Sequence, residues 1–441
     1  MNNILIKYFH FLFLLFPLTL ILGAGLADSL LSVSLIIFIY VSYLNRDYKL
    51  FTNKFFLVYF ILCLYLILLS IFSKNILLSL ESSLFYFRFG IFVLAIIYIS
   101  ETKPKFLYQF FVVLSSCIII ISLDAIYEFF YLENLLKFIS NFEPNILELK
   151  KNNLIYSGRI SGVFGDEFIL GSYLVRTLPI TIGLLILNFF ENKNLKYMIF
   201  FFLCLTSFTI FITGERTAFF LLILFLFLFF FIIREYRKLL LFFFSLGIIS
   251  ILILFFTNNI SSKRIINLTF DQVFNKDISN SEIYFFSTQH EVVYKTALKI
   301  YKDNIIFGIG PKMFREVCKD EKYHTYSEID GSVNGCQSHP HNTYVQIITE
   351  TGIIGFSILC ISFSYIIYRL YFFLFRKEKK FYDKYELFEI FCLLNIFINL
   401  WPLIPSGNFF NNWLSYIYYL PVGFYIYSYR LNTKRLATTT S

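Results

Sequence analysis

The chain has 441 residues, 58% of them apolar and only 15% charged, against roughly 25% charged in a soluble domain. With 60 phenylalanines, that apolar load exceeds what a water-soluble fold of this size hides, so lipid is the expected solvent. The net charge of +9 sits in short Lys and Arg clusters between apolar runs, which is a topological pattern and gives no reason to expect a nucleic-acid partner.

A spanning helix takes about 20 mostly apolar residues. Twelve candidates follow in chain order: 4–22, 29–44, 54–72, 84–100, 106–123, 168–190, 197–213, 218–233, 239–256, 352–375, 387–403 and 413–429. The first carries Lys7 and His10 near its start, lacks a small-x-small cleavage site and is read as an uncleaved span. Six basic clusters then fall in alternate connections: Arg46 and Lys49; Lys103 and Lys105; Lys193 and Lys196; Arg234, Arg237 and Lys238; Arg376, Lys377, Lys379 and Lys380; Arg430, Lys434 and Arg435. With twelve spans they share one side, which the positive-inside rule makes cytoplasmic, together with both termini. Cys63, Cys117, Cys204, Cys360 and Cys392 lie inside apolar runs, where Cys acts as a small hydrophobe. The expected class is an all-α polytopic membrane protein of about twelve transmembrane helices.

The opposite side carries two long polar segments, 124–167 and 257–351. The chain thus divides into 1–256 with helices 1–9, a large loop at 257–351 between helices 9 and 10, and 352–441 with helices 10–12 and a tail. A loop of that length is too long for an idle connection. It is expected to be largely helical: His290 to Lys302 reads as an amphipathic helix with Val293, Ala297 and Ile300 on one face. Cys318 and Cys336 are the two cysteines in a polar segment on the non-cytoplasmic side, and a disulfide between them is expected.

The chemistry-bearing residues cluster in and around these segments. Gly308-Ile309-Gly310-Pro311 is by itself a turn. In Ser338-His339-Pro340-His341-Asn342-Thr343-Tyr344, Asn342 predicts an N-cap and Gly352 a stop. His341 would then stand at a helix N-terminus, neutral and able to exchange a proton near pH 7. His339 and His341 flank one proline, so their rings are expected to diverge, with His339 in a positioning role. The plain alternative is two surface histidines. A zinc site from His339, His341, Cys336 and His324 is a further alternative, although the spacing matches no standard finger. Arg216 stands between two apolar runs, where an ionisable group is costly unless paired or in use. Either it pairs with Glu215 at the interface, or it is a planar donor for phosphate oxygens. Arg159 lies in a Gly-rich stretch before the sixth span, and Arg176 lies inside that span. Lys312 and Arg315 are weaker candidates, since loop charges are usually solvated.

At this point the sequence resembles the bacterial O-antigen ligase and O-antigen polymerase superfamily. Three patches carry the resemblance in order: Arg159-Ile160-Ser161-Gly162-Val163-Phe164; Gly214-Glu215-Arg216-Thr217-Ala218; and Gly308-Ile309-Gly310 followed by His339-Pro340-His341-Asn342-Thr343-Tyr344 and Glu350-Thr351-Gly352. Asp166-Glu167 departs from the Pro-Asn of many members. The resemblance implies a metal-independent glycosyltransferase without cofactor, its site facing the periplasm from the bacterial inner membrane. The implied partners are an undecaprenyl-diphosphate-linked glycan donor, a lipid A–core or glycan acceptor, and membrane lipid. His341 and Arg216 would be catalytic. Arg159, Arg176, His339, Asn342, Tyr344 and Arg315 would bind substrate. A repeat-unit polymerase is the alternative within the class, and a lipid-linked glycan transporter the alternative outside it. A transporter would place ionisable groups at mid-depth, whereas here the polar residues gather in one loop.

Overall fold

The computed structural model describes residues 2–46, 48–131, 159–256, 265, 287–326, 334–376 and 381–440. Within them the protein is helical, with no strand beyond an isolated bridge between Tyr326 and Asn334. The helices in chain order are α1 (Asn2–Leu22), α2 (Ala24–Leu44), α3 (Lys54–Ile71), α4 (Ile76–Ser83), α5 (Phe87–Thr102), α6 (Phe106–Tyr131), α7 (Leu170–Phe189), α8 (Leu195–Ile212), α9 (Arg216–Ile232), α10 (Arg237–Phe256), α11 (Thr288–Asp303), α12 (Phe314–Val317), α13 (Thr343–Phe375), α14 (Lys384–Asn399) and α15 (Asn412–Thr440).

Each of the twelve apolar segments falls on a helix, and the chain is a multi-pass membrane protein. Among the described residues eight helices are long and apolar enough to cross a membrane, α4 and α5 counting together as Ile76–Thr102. A ninth follows if α9 and the start of α10 form one span, but that pair bends by 106°. Two expected boundaries need correction. The helix expected at 387–403 stops at Asn399, because Pro402 disfavours helical geometry in the residue before it. The polar segment expected from 124 begins as helix, since α6 continues to Tyr131 with Asp124 and Glu128 buried. Residues 132–158 of that segment lie outside the described residues, as do 257–264, 266–286 and 327–333 of the large loop.

The centre of the bundle is α7 against α14, each buried along nearly its whole length. Phenylalanine dominates the surrounding core: Phe9, Phe13, Phe16, Phe92, Phe106 and Phe110 are all fully buried. A second, smaller core lies in the loop. There Val293, Ala297 and Ile300 of α11 pack with Met313, Phe314, Val317, Cys318 and Tyr323. The stripe read from the sequence is thus the face on which the loop is built. Cys318 and Cys336 are joined, with Cα atoms 5.1 Å apart.

Polar contacts separate the two ends of the bundle. At one end Glu235 accepts the Tyr382 amide at 2.6 Å, Arg430 meets Glu101 at 3.5 Å, and Arg435 meets Asp383 at 3.2 Å. At the other, Lys74 pairs with Asp320 at 2.8 Å, Arg88 with Asp28 at 2.9 Å, and the Ser406 amide donates to the His341 carbonyl at 2.8 Å. The candidate residues of the sequence gather at this second end.

Candidate active site

Arg216 opens α9 and is half-buried. Gly214, at φ 67°, makes the turn before it. Glu215 accepts the Gly171 and Ser172 amides at 2.7 and 3.1 Å. A carboxylate there satisfies open N–H groups at the positive end of α7, so Glu215 ties the starts of α7 and α9 together. The Ile160 amide donates to the Thr213 carbonyl at 3.3 Å, and Glu128 accepts the Gly162 amide at 2.7 Å. These contacts hold Arg159 beside Arg216, close enough for their charges to repel. The Arg159 guanidinium lies 4.8 Å from the Phe168 ring centroid, and its Nε has no partner among the described residues.

Three imidazoles stand next to this pair. The ring centroids of His339 and His341 are 4.0 Å apart, and His290 of α11 meets His341 edge-on at 5.7 Å. The rings of His339 and His341 therefore lie side by side and do not diverge as expected. The cause is the His341 backbone, which turns through φ 53°. That left-handed conformation costs a non-glycine residue on the order of 1–3 kcal/mol. It is held by the Ser406 amide at 2.8 Å and the Tyr294 hydroxyl at 3.4 Å, both on the His341 carbonyl.

Burial lowers the basicity of all three histidines. His339 is held down to about 3 by burial, by coupling to the His341 ring and by the Arg315 charge. His290 is held down to about 4 by burial, His341 and Arg216. His341 is lowered by burial alone. All three are thus neutral at pH 7, and His341 can accept a proton. Burial acts in the same direction as the helix terminus to which the sequence assigned that effect.

Arg315 flanks the group on the far side, with its charge bearing on His339 and its Nε unpartnered among the described residues. It sits in the short helix α12, whose Phe314 amide donates to Glu350 Oε1 at 3.2 Å. The other Glu350 oxygen accepts from Gln346 Nε2 at 2.9 Å, and the same nitrogen reaches Asn408 at 2.8 Å. The glycine segments of the signature loop pack against each other here. Gly352 (φ 64°) breaks α13, and a Cβ on it would lie 2.2 Å from the Ile306 carbonyl oxygen. A Cβ on Gly308 would lie 2.5 Å from the Gly352 nitrogen. The Cys318–Cys336 bond then links the end of α12 to the segment leading into His339.

Other sequence candidates take different places. Asn342 caps α13 through the Tyr344 and Val345 amides at 2.9 and 3.1 Å, and donates to the Pro402 and Ile404 carbonyls at 2.8 and 3.0 Å. With donors and acceptor spent on backbone, it frames the site and has nothing left for a substrate. The Tyr344 hydroxyl donates to the Leu400 carbonyl at 2.7 Å, which gives it the same framing role. Arg176 is buried within α7 beside Tyr418, deeper than Arg159 and Arg216. Lys312 is drawn to Glu81 at 3.5 Å. The zinc set fails to assemble: Cys336 is consumed by the disulfide, and the His324 ring meets the Lys319 carbonyl at 3.2 Å. Sequence reasoning missed His290, reading it only as the start of an amphipathic helix. It also missed the 400–411 turn under the histidines, and it named Glu350 within the signature loop without giving it a role. Four of the chain's five histidines in one loop was the available signal.

Residues 199–360 match the family model for O-antigen ligase, a stretch that holds Arg216, His290, Arg315, His339 and His341. Over that stretch the chain is similar to the O-antigen ligase family. No curated protein matches it. The similarity to O-antigen ligase supports a glycosyltransferase of ligase or polymerase type, acting on a lipid-linked glycan and a glycan acceptor. Arg159 precedes the matched stretch, and its neighbour Ile160 bonds to Thr213 within it.

Proposed function

We propose that this protein is an O-antigen ligase-type enzyme. It moves a glycan from undecaprenyl diphosphate to a sugar hydroxyl of lipid A–core at the periplasmic face of a bacterial inner membrane, without metal. The observation that carries the reading is the juxtaposition of a guanidinium pair, Arg159 and Arg216, with a neutral imidazole at His341. Breaking the bond between the anomeric carbon and the diphosphate oxygen leaves the electron pair on the diphosphate. Fixed guanidinium groups stabilise that charge most where it develops, in a partly dry site. The acceptor hydroxyl is a weak nucleophile and gains from a base that is neutral at pH 7. His341 accepts its proton as the new glycosidic bond forms. Arg315 and His339, across the group, face the acceptor side.

The test is transfer by the purified protein, with chelator present, from an undecaprenyl-diphosphate glycan to lipid A–core. Wild type should form the glycosylated core, and His341→Ala should lose about 10²–10⁴-fold in rate. Full activity of His341→Ala would end this mechanism, and loss of wild-type activity in chelator would restore a metal. In a deletion strain, bare lipid A–core beside full-length lipid-linked glycan is expected. Single repeat units on the core would mean a polymerase instead.

A further inference from the structure

His290 has no part in the chemistry above, yet it stands between the two halves of the site. The electrostatic neighbours give the order across it: Arg159 acts on Arg216, Arg216 on His290, and Arg315 on His339. His290 is therefore the imidazole on the Arg216 side, and His339 the one on the Arg315 side. Its ring orientation is also built. Ser287 occupies the N-cap position of α11, where a serine oxygen ordinarily accepts a backbone N–H. Here the Ser287 side chain makes no cap bond, and its Oγ lies 2.5 Å from His290 Nδ1. A helix cap has been given up to fix one nitrogen of the ring, which leaves Nε2 for the site.

Resting on the ligase-type reading, we infer that His290 is a further catalytic residue, a neutral imidazole whose Nε2–H donates a hydrogen bond to the departing diphosphate beside Arg216. Ser287 Oγ and His290 Nδ1 form one hydrogen bond; with the serine hydroxyl taken as its donor, the ring proton resides on Nε2. Two carboxylates near the site, Glu215 and Glu350, already accept backbone amides and do not turn this ring into an imidazolium. His290 thus adds a directional N–H without adding a third positive charge next to Arg159 and Arg216. No bond to His290 forms or breaks. The electron pair of the anomeric C–O bond goes to the diphosphate, the acceptor proton goes to His341, and the His290 hydrogen bond strengthens as the leaving oxygen gains charge.

Glutamine can place an N–H where Nε2–H stood, and leucine fills similar volume without one. The assay is glycan transfer from an undecaprenyl-diphosphate donor, with kcat and donor KM measured separately. His290→Leu should lower kcat by about 10²–10³-fold, as for removal of one preorganised donor, with donor KM little changed. His290→Gln should recover kcat to within about tenfold of wild type. Should leucine disturb folding, His290→Ala gives the same comparison. Wild-type kcat in the leucine or alanine variant overturns the inference. So does a glutamine variant as slow as the apolar one, since a donor is then not what matters. Failure of wild type to transfer at all defeats the ligase reading itself, whereas active wild type, inactive His341→Ala and unaffected His290→Leu defeat only the role of His290.

Discussion

Arg216 and the histidines set the chemistry at the scale of single residues. Glu215 spends its oxygens on the Gly171 and Ser172 amides, which leaves the planar fork of Arg216 as the feature to test. Lysine keeps the charge and loses the fork. Arg216→Lys should forfeit about 1.5–3 kcal/mol of transition-state grip, about 10- to 150-fold in kcat/KM, while the protein still inserts. Wild-type turnover in that variant would show that charge alone suffices. The lowered basicity of His290 and His339 has a consequence for stability. Above their ordinary value of 6.5 they are neutral in folded and unfolded chains alike. As pH falls below 6.5 the unfolded chain takes up protons that the folded one refuses, so stability is lost progressively until the folded values of about 4 and 3. The two tryptophans, Trp401 and Trp413, both lie at this end and report its unfolding by fluorescence. The midpoint temperature should fall from pH 6.5 to 4, and the double variant His290→Gln, His339→Gln should flatten the fall. An identical slope in both proteins would rule out these two groups as its source.

Elements fix where those residues stand, and the signature loop shows how. Gly308 and Gly352 are far apart in sequence, and each fills space that a side chain on the other side would need. Alanine at Gly352 must adopt φ 64° and push its Cβ against the Ile306 carbonyl. The left-handed backbone alone costs about 1–2 kcal/mol, and the contact adds to it. Gly352→Ala should therefore lower thermal stability and cut transfer, by moving α12 and Arg315 away from the histidines. Unchanged melting and turnover would mean that α13 straightens freely at this point. Much of this element level was legible beforehand. The cap at Asn342, the break at Gly352 and the apolar stripe of α11 follow from local rules that need no tertiary knowledge. What escaped were facts of packing. Asn342 and Tyr344 looked like ligand contacts because polarity beside a histidine motif reads that way, until the 400–411 turn turned out to consume them. His290 escaped because a 3.6-residue period identifies a helix face without saying what meets its first turn.

At the scale of the whole molecule the question is which way the bundle faces. Counting spans by length and apolarity is a weak guide here, since α9 and α10 bend sharply and α14 has only 16 residues. Charge and contact together are stronger. Connections expected on one side meet each other: Glu235 with Tyr382, Arg430 with Glu101, Arg435 with Asp383. Lys377, Lys379 and Lys380 lie outside the described residues, but Arg376 just before them pairs with Glu386 at 2.9 Å at this same end. The site end instead draws together Arg159, Arg216, the three histidines and the 400–411 turn. The positive-inside rule gives the first group to the cytoplasm. Reporter fusions after Lys380 and after Arg435 should therefore both read cytoplasmic, and a cysteine placed at the exposed Ser338 should react with an impermeant thiol reagent added from outside the inner membrane. A cytoplasmic Ser338 would put the histidines on the side where lipid-linked glycans are assembled and not where they are transferred, and the ligase reading would fall with it.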